Sequence, residues 1–477
     1  MIADLKPYQE YKESGSLWLS GIPSHWEVRN LRTLIRPRNE RNRADLPLLS
    51  VAREKGVFVR SLTDANENHN VIPEDLSNYK VARAGNLVIN KMKAWQGSMG
   101  ISPCDGIVSP AYFVFDFAIS NRAFGQALLR SKPYVAHFGQ ASDGVRVGQW
   151  DLTITGMRQI PVLVPPSEEQ SAIVRFLDYA TGRIEQAIRA KRKVITLLHE
   201  QKQTIIQHAV THGLDPTVPL KSSDIHWLGD IPQHWEVRRL RTVVHSVVQG
   251  VSPLSVGFLA EGDSWGVLKS GCVNRGVFRE TEHKQLAPGF EIDPAIVVKV
   301  GDVLISRACG SPSLVGSVSR VRSLRYQLIL SDKTFRASFR ESVDVDFMVF
   351  AMNSRYYRQQ VEQAISGAEG MANNLPLSSL RDFRFAIPPK AEATAIASYL
   401  DRDTAGVQAF ITRLEREIDL LREYRTRLVA DVVTGKLDVR EAARRLPANI
   451  DEPADRLDAP GMSDEPDLDD TASEDDV

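Results

Sequence analysis

The side chains best suited to meet a nucleic acid fall in short, separated clusters. Residues 29–43 (RNLRTLIRPRNERNR) hold six arginines and one acid, and Arg29, Arg32, Arg36 and Arg38 are candidates for phosphate contacts. The turn 90–98 (NKMKAWQGS) offers Lys91, Lys93, Trp95 and Gln96, and Arg146 and Gln149 follow in the same half. The second half offers Arg238 and Arg241, then Ser306, Arg307 and Ser311, and finally Asn373 and Asn374 in GAEGMANNLP. Arginine and lysine suit phosphates and guanine edges, and asparagine and glutamine suit adenine edges. Each of these residues could equally sit in a solvated loop.

Catalytic chemistry finds no such foothold. There is no GxxxxGK[ST], no GxGxxG after a strand, no HExxH, no GxSxG, and no Asn/Asp-Pro-Pro-aromatic motif of amino methyltransferases. His208 and His212 are four apart, but at the end of a helical pattern, so no metal site is expected there. His25 and His234 recur at equivalent places and read as capping or core residues; Glu168, Glu169 and Glu200 read as a cap and a solvated face.

These clusters are positioned by a duplicated framework. Residues 18–33 (WLSGIPSHWEVRNLRT) return 209 positions later as WLGDIPQHWEVRRLRT, with 12 of 16 residues identical. Residues 165–215 return without a gap 223 positions later at 388–438, so the second variable part is longer by 14. In the first of these segments Ile173, Leu177, Ile184, Ile188, Ile195, Leu198 and Ile205 form a nearly unbroken heptad seam, interrupted by Lys191 and Lys202. The second seam is Ile396, Leu400, Val407, Ile411, Leu414, Ile418, Leu421 and Leu428. Ser167 with Gln170 fits a capping box and Gly213 a helix stop. Roughly 45 helical residues make a rod of about 65 Å. Two matching rods predict an intramolecular coiled coil with approximate two-fold symmetry.

Between heads and rods lie two dissimilar parts with β-rich runs (111–117, 296–300), Gly-led strands (AGNLVINK, VGDVLISR) and helical patterns (122–131, 346–365). The expected class is α/β (α+β): two mixed domains, each followed by a long helix. The expected boundaries are 1–164 for the first reader with its head, 165–215 for the first rod, 216–387 for the second reader with its head, 388–438 for the second rod, and 439–477 for an acidic, disordered tail.

From Pro447 the chain has twelve acidic residues against Arg456 alone, while its total formal charge is −1, so the preceding body is mildly basic, as a polyanionic partner requires. Three scattered cysteines, no apolar run of spanning length and no signal-peptide pattern predict a reduced, cytoplasmic protein without a membrane segment.

The head IPxHWEVRxLR, the Pro-Pro-x-x-Glu step and the rod ending VTHGLD or VTGKLD, all duplicated in order, resemble the specificity (S) subunit of Type I restriction-modification systems over about 18–438. The resemblance implies two target-recognition domains, each reading half of a bipartite double-stranded DNA site. It implies that the rods form an antiparallel coiled coil docking two methyltransferase (M) subunits, which a restriction (R) subunit joins. S-adenosylmethionine, ATP and magnesium would belong to those partners, and this chain would be non-catalytic. The acidic tail is no part of the family pattern. A methylation-only system, or a coiled-coil adaptor without a DNA role, stays open.

Overall fold

The computed structural model describes residues 5–15, 18, 21–61, 75–144, 150–365 and 373–447. Arg146, Gln149 and the acidic stretch after 447 lie outside them. The chain forms two units, Met1–Ala190 with Glu417–Val477, and Lys191–Arg416. Each contains one reader and parts of both long helices, α1 (Ser167–His212) and α2 (Lys390–Val433).

The readers share one sheet. In the first, β1 (Ile35–Pro37), β2 (Leu87–Asn90), β3 (Met99–Ile101) and β4 (Tyr112–Phe117) lie in the order β1-β4-β2-β3, all antiparallel. In the second, β5 (Val244–Gln249), β6 (Val303–Ser306), β7 (Val318–Arg320) and β8 (Thr334–Phe339) repeat it as β5-β8-β6-β7. β2 and β6 are buried along their whole length, which explains why LVIN and VLIS read as continuous apolar runs rather than as alternation. The second reader adds another four-stranded sheet over a separate core that includes Val267, Cys272, Leu304 and Leu328. The strand expected at 296–300 is absent: residues 294–296 form a 3-10 turn and Val297 makes an isolated bridge to Ile329. The helix expected over 122–131 is observed as Arg122–Leu129 and is followed at once by another, Lys132–Gln140, while the one expected over 346–365 is split into Val345–Ala351 and Arg355–Ala364. Ser131 and Ser354 stand at the breaks in extended backbone conformation.

The head strands join reader to rod. Glu27–Asn30 pairs antiparallel with Pro161–Val164, the strand that leads into α1. Glu236–Arg239 pairs in the same way with Arg384–Ile387, ahead of α2. Leu31 N donates to Ile160 O and Leu240 N to Phe383 O, both at 2.8 Å. The Trp26 and Trp235 rings beneath are completely buried.

Both helices begin on an acid bonded to the head, buried in the first and half-buried in the second. Glu169 is 5% exposed and accepts from Trp26 Nε1 (3.1 Å), His25 Nε2 (2.7 Å) and the Tyr8 hydroxyl (2.6 Å). Glu392 accepts from Trp235 Nε1 (3.1 Å) and His234 Nε2 (2.6 Å). This corrects the reading of Glu169 as a cap on a solvated face: a buried carboxylate needs donors, and the head supplies them. The capping box fails as well. Gln170 receives the Asn121 N–H on its Oε1 (2.9 Å) and donates to Pro165 O (2.8 Å), tying reader to helix. Gly213 ends α1 with φ +76°, a conformation suited to glycine.

Within each unit the helices pair antiparallel. In the first, Arg425 bonds Glu185, and Ile173, Leu177, Ile184, Ile188, Ile418 and Leu428 are buried in the seam while Leu421 is half-buried. In the second, Lys202 Nζ donates to Gln408 Oε1 at 2.9 Å, and burial lowers the pKa of that lysine. There Ile396, Leu400, Ile411 and Leu414 are buried, but Ile195, Leu198, Ile205 and Val407 only half-buried. The acidic tail was expected from 439. Instead Arg440–Arg444 is helical, with Val439, Ala443 and Leu446 buried, and Arg175 donates to the carbonyls of Leu446 and Pro447 at 2.9 Å. The apolar residues of VREAARRL hold this stretch down before the acids begin. Among the described residues, no helix is long and apolar enough to cross a membrane.

Candidate nucleic-acid interface

Strands β1 and β2 both run antiparallel to β4 between them, so they are parallel to each other and end on one side of the sheet. The chain leaves β1 into Arg38–Arg43 and leaves β2 into Lys91–Gly97, and both loops therefore emerge together. The second reader repeats this: Gly250–Leu259 follows β5, Arg307–Ser313 follows β6, and exposed Lys333 precedes β8.

The loop after the central strand is braced identically in both readers. Lys91 O accepts from Leu152 N, and Arg307 O accepts from Leu375 N, each at 2.8 Å. The side chains built on this shared brace differ. In the first reader Lys91 pairs with Asp151 (2.9 Å), Trp95 donates to Met92 O (3.1 Å), and the Trp95 and Trp150 rings meet edge to face at 5.1 Å. Met92 and Lys93 are exposed at the tip, and Gln96 is half-buried. In the second reader Arg307 lies over the Phe335 ring at 5.9 Å and donates to Asp332 O at 3.0 Å. The Ser311 and Ser313 hydroxyls are 2.9 Å apart, and Asn373 donates to Gly310 O at 3.2 Å. Asn373 and Asn374 pair as a short strand with Ala308–Cys309.

Cations gather at this edge in the first reader. The Lys80 ammonium is lowered in pKa, mainly by burial and further by the charges of Arg41 and Lys91; it donates to Tyr112 O at 2.6 Å. The second reader puts apolar side chains in the corresponding loop, where Leu254 is 85% and Phe258 76% exposed. The two edges thus share a backbone plan and differ in chemistry.

Several sequence-derived candidates lie elsewhere. The arginine run is divided by the sheet: Arg36 lies within β1 and Arg38 at its loop end, whereas Arg29 and Arg32 precede β1 on the other side. Arg29 pairs with Glu27 (2.6 Å) and Arg38 with Asp116 (2.7 Å). In the second head Arg238 donates to Thr242 O (3.1 Å) and Arg241 pairs with Asp382 (3.0 Å). Ser306 is fully buried, its hydroxyl without a partner among the described residues, so it is withdrawn as a contact residue: it is the inward-facing end of β6. Arg41, Lys80 and Lys333 were not singled out from the sequence. Arg41 belonged to the arginine run, but nothing near Lys80 or Lys333 marked them, since strand pairing alone brings them to this edge. The described residues hold no group of three metal-ligating side chains.

No family model matches the chain. It is 25% identical over 211 residues to the specificity subunit of the Type I restriction enzyme EcoEI of Escherichia coli, covering 44% of this chain and 35% of that one. It is 24% identical over 287 residues to the Type I restriction enzyme MjaVIII specificity subunit of Methanocaldococcus jannaschii, covering 59% and 63%. A solved structure described under complex assembly and conformational transition of the type I R-M system has the same fold, with TM-score 0.59 and 17% identity over 87% of this chain and 99% of that chain. The chain is similar to Type I specificity subunits. The matches span between about a third and two thirds of the length of these specificity subunits.

Proposed function

We propose that this chain is the DNA-specificity subunit of a Type I restriction-modification complex. Each reader takes one half of a bipartite, asymmetric site in double-stranded DNA, and the helix pair docks methyltransferase subunits, through which a restriction subunit joins. The observation that carries this reading is the shared brace, Lys91 O to Leu152 N and Arg307 O to Leu375 N, holding unlike side chains at equivalent edges. A protein reading two different half-sites needs one geometry and two chemistries. The chain itself is non-catalytic in this reading, and S-adenosylmethionine, ATP and magnesium are held by its partners in the cytoplasm. Arg41, Lys80, Lys91 and Lys93 supply phosphate contacts in the first reader, and Arg307 and Lys333 in the second.

The test is exchange of residues 34–164 for another reader, followed by methylation mapping of the assembled complex. One half-site should change and the other should persist. Change in both halves would mean that the readers do not act independently, and methyl transfer by the purified single chain would overturn the non-catalytic assignment.

A further inference from the structure

The two helix-start carboxylates are equivalent, but only one is closed over. In the first unit the Tyr8 ring covers Glu169, 5% exposed, with its hydroxyl 2.6 Å from Glu169 Oε1. Its ring centre lies 5.9 Å from that of Trp26 and 5.8 Å from that of His25. The Arg440 guanidinium sits over the same ring at 5.2 Å, held by Asp438 through hydrogen bonds of 2.7–3.2 Å. Burial would raise the Asp438 pKa, but its bonds to Arg440 hold it below the ordinary carboxylate range.

In the second unit Glu392, His234 and Trp235 stand where Glu169, His25 and Trp26 stand, and Asp215 closes the same VTxxLD segment as Asp438. The residue at the repeat position of Tyr8 is Thr217, and it turns back to bond Asp215 through both its amide and its hydroxyl. Among the described residues no tyrosine or arginine covers the acid. In their place is an open surface cavity of about 310 Å³ lined by Leu214, Asp215, Val218, His234, Glu392, Ala395 and Ile396. The Glu392 side chain is 31% exposed in consequence.

We propose that this cavity is a peptide site that takes a tyrosine side chain accompanied by a basic residue, supplied by a partner polypeptide. The ring packs on Leu214 and Val218, the phenol donates to Glu392, and the cation faces Asp215 as Arg440 faces Asp438. The charge of the site selects this occupant: Glu392 keeps room for one more donor beside His234 and Trp235, as Glu169 does beside His25 and Trp26, and Asp215 keeps room for a cation beside Thr217. The chain's own tyrosine segment is already seated on Glu169, so the occupant comes from another protein. The proposal does not depend on DNA reading.

The probe is a labelled peptide of sequence LKPYQEYK, the chain's own residues 5–12, titrated against the full-length protein by fluorescence anisotropy. Saturable one-to-one binding is expected. Phenylalanine in place of the first tyrosine should weaken it about tenfold or more, because the charged acceptor loses its donor. Phosphate on that tyrosine should abolish it. Ala395→Trp, on the exposed face of α2, should block binding while leaving thermal unfolding unchanged, and Glu392→Gln should weaken it without Ala395 being touched. Absence of saturable binding at millimolar peptide, equal binding of the phenylalanine peptide, or indifference to Ala395→Trp would each overturn the proposal.

Discussion

Trp26 donates its indole N–H to Glu169 at 3.1 Å, and with the His25 bond to the same carboxylate it ties the head of the first reader to the start of its rod. Trp235 and Glu392 make the same bond at the same distance, yet the two are not energetically alike. Glu169 is 5% exposed and Glu392 31%, so water can replace a missing donor only at the second. Trp26→Phe should therefore cost about 1–3 kcal/mol, and Trp235→Phe less. Urea unfolding of the two variants measures the difference, and equal costs would contradict it.

Lys80 should trade stability for binding. Burial and the neighbouring cations Arg41 and Lys91 depress its pKa, so the folded chain holds this proton less tightly than the unfolded chain does. Between the depressed value and the ordinary lysine value, stability should rise with pH. Lys80→Met should remove that alkaline rise, stabilise the protein near neutrality and weaken DNA binding. Unfolding midpoints across alkaline pH, paired with binding titrations, check both parts.

Phosphate binding carries a signature in salt. Substituting Arg41 or Lys93 by alanine should weaken binding to all sequences alike and reduce the slope of log K against log salt by roughly 0.9 for each phosphate no longer neutralised. The Arg29→Ala change, on the opposite side of the sheet and paired with Glu27, should leave the slope closer to that of the unaltered protein. The reverse ranking would place the DNA on the other edge.

Gly250 allows the second reader's edge to close. A Cβ there would stand 2.1 Å from Leu330 O, a backbone atom that cannot swing away. Gly250→Ala should displace the loop 251–259 and impair the second half-site alone, with methylation of first-half-site variants unaffected. An intact second half-site specificity would show that this loop is not part of the edge.

The rod should fail at its middle before the readers fail. Ile195→Pro removes a helical hydrogen bond within α1 and should cost about 3 kcal/mol or more. Ile411→Ala empties a completely buried position of α2 at about 2–5 kcal/mol. Loss of methyltransferase-subunit binding while both readers keep their folded spectra is the expected result for Ile195→Pro, read by sedimentation of the mixed subunits.

The framework was legible because it is written twice. The heptad seams, the head repeat and the paired VTHGLD and VTGKLD endings locate both long helices, and Gly213 falls at the end of the first. The role of Glu169 was present in the same repeats, since His25, Trp26 and Glu169 all recur, but spacing along the chain does not reveal that residues 143 apart share a hydrogen bond. The interface was less legible. Arg29 and Arg38 are neighbours in sequence, yet a strand carries the chain from one side of the sheet to the other between them. Lys80 and Arg41 are distant in sequence, yet pairing of strands brings them together. Ser306 looked like a loop residue because the last position of a buried strand carries no mark of its own.

Two joints between framework and reader are made by the main chain alone, Leu31 N on Ile160 O and Leu240 N on Phe383 O. Peptide groups are the same in every protein, so these two bonds place no demand on the side chains that follow them; the demand comes instead from side chains such as Phe347, packed on Trp235, and Asp344, bonded by Thr394. A recombination event with crossovers in the two conserved borders could replace an entire reader in one step where the incoming domain keeps the few side chains that pack on the framework, as Phe347 does on Trp235. Recognition in this architecture can change by inheritance of whole modules, without passing through a series of half-adapted intermediates.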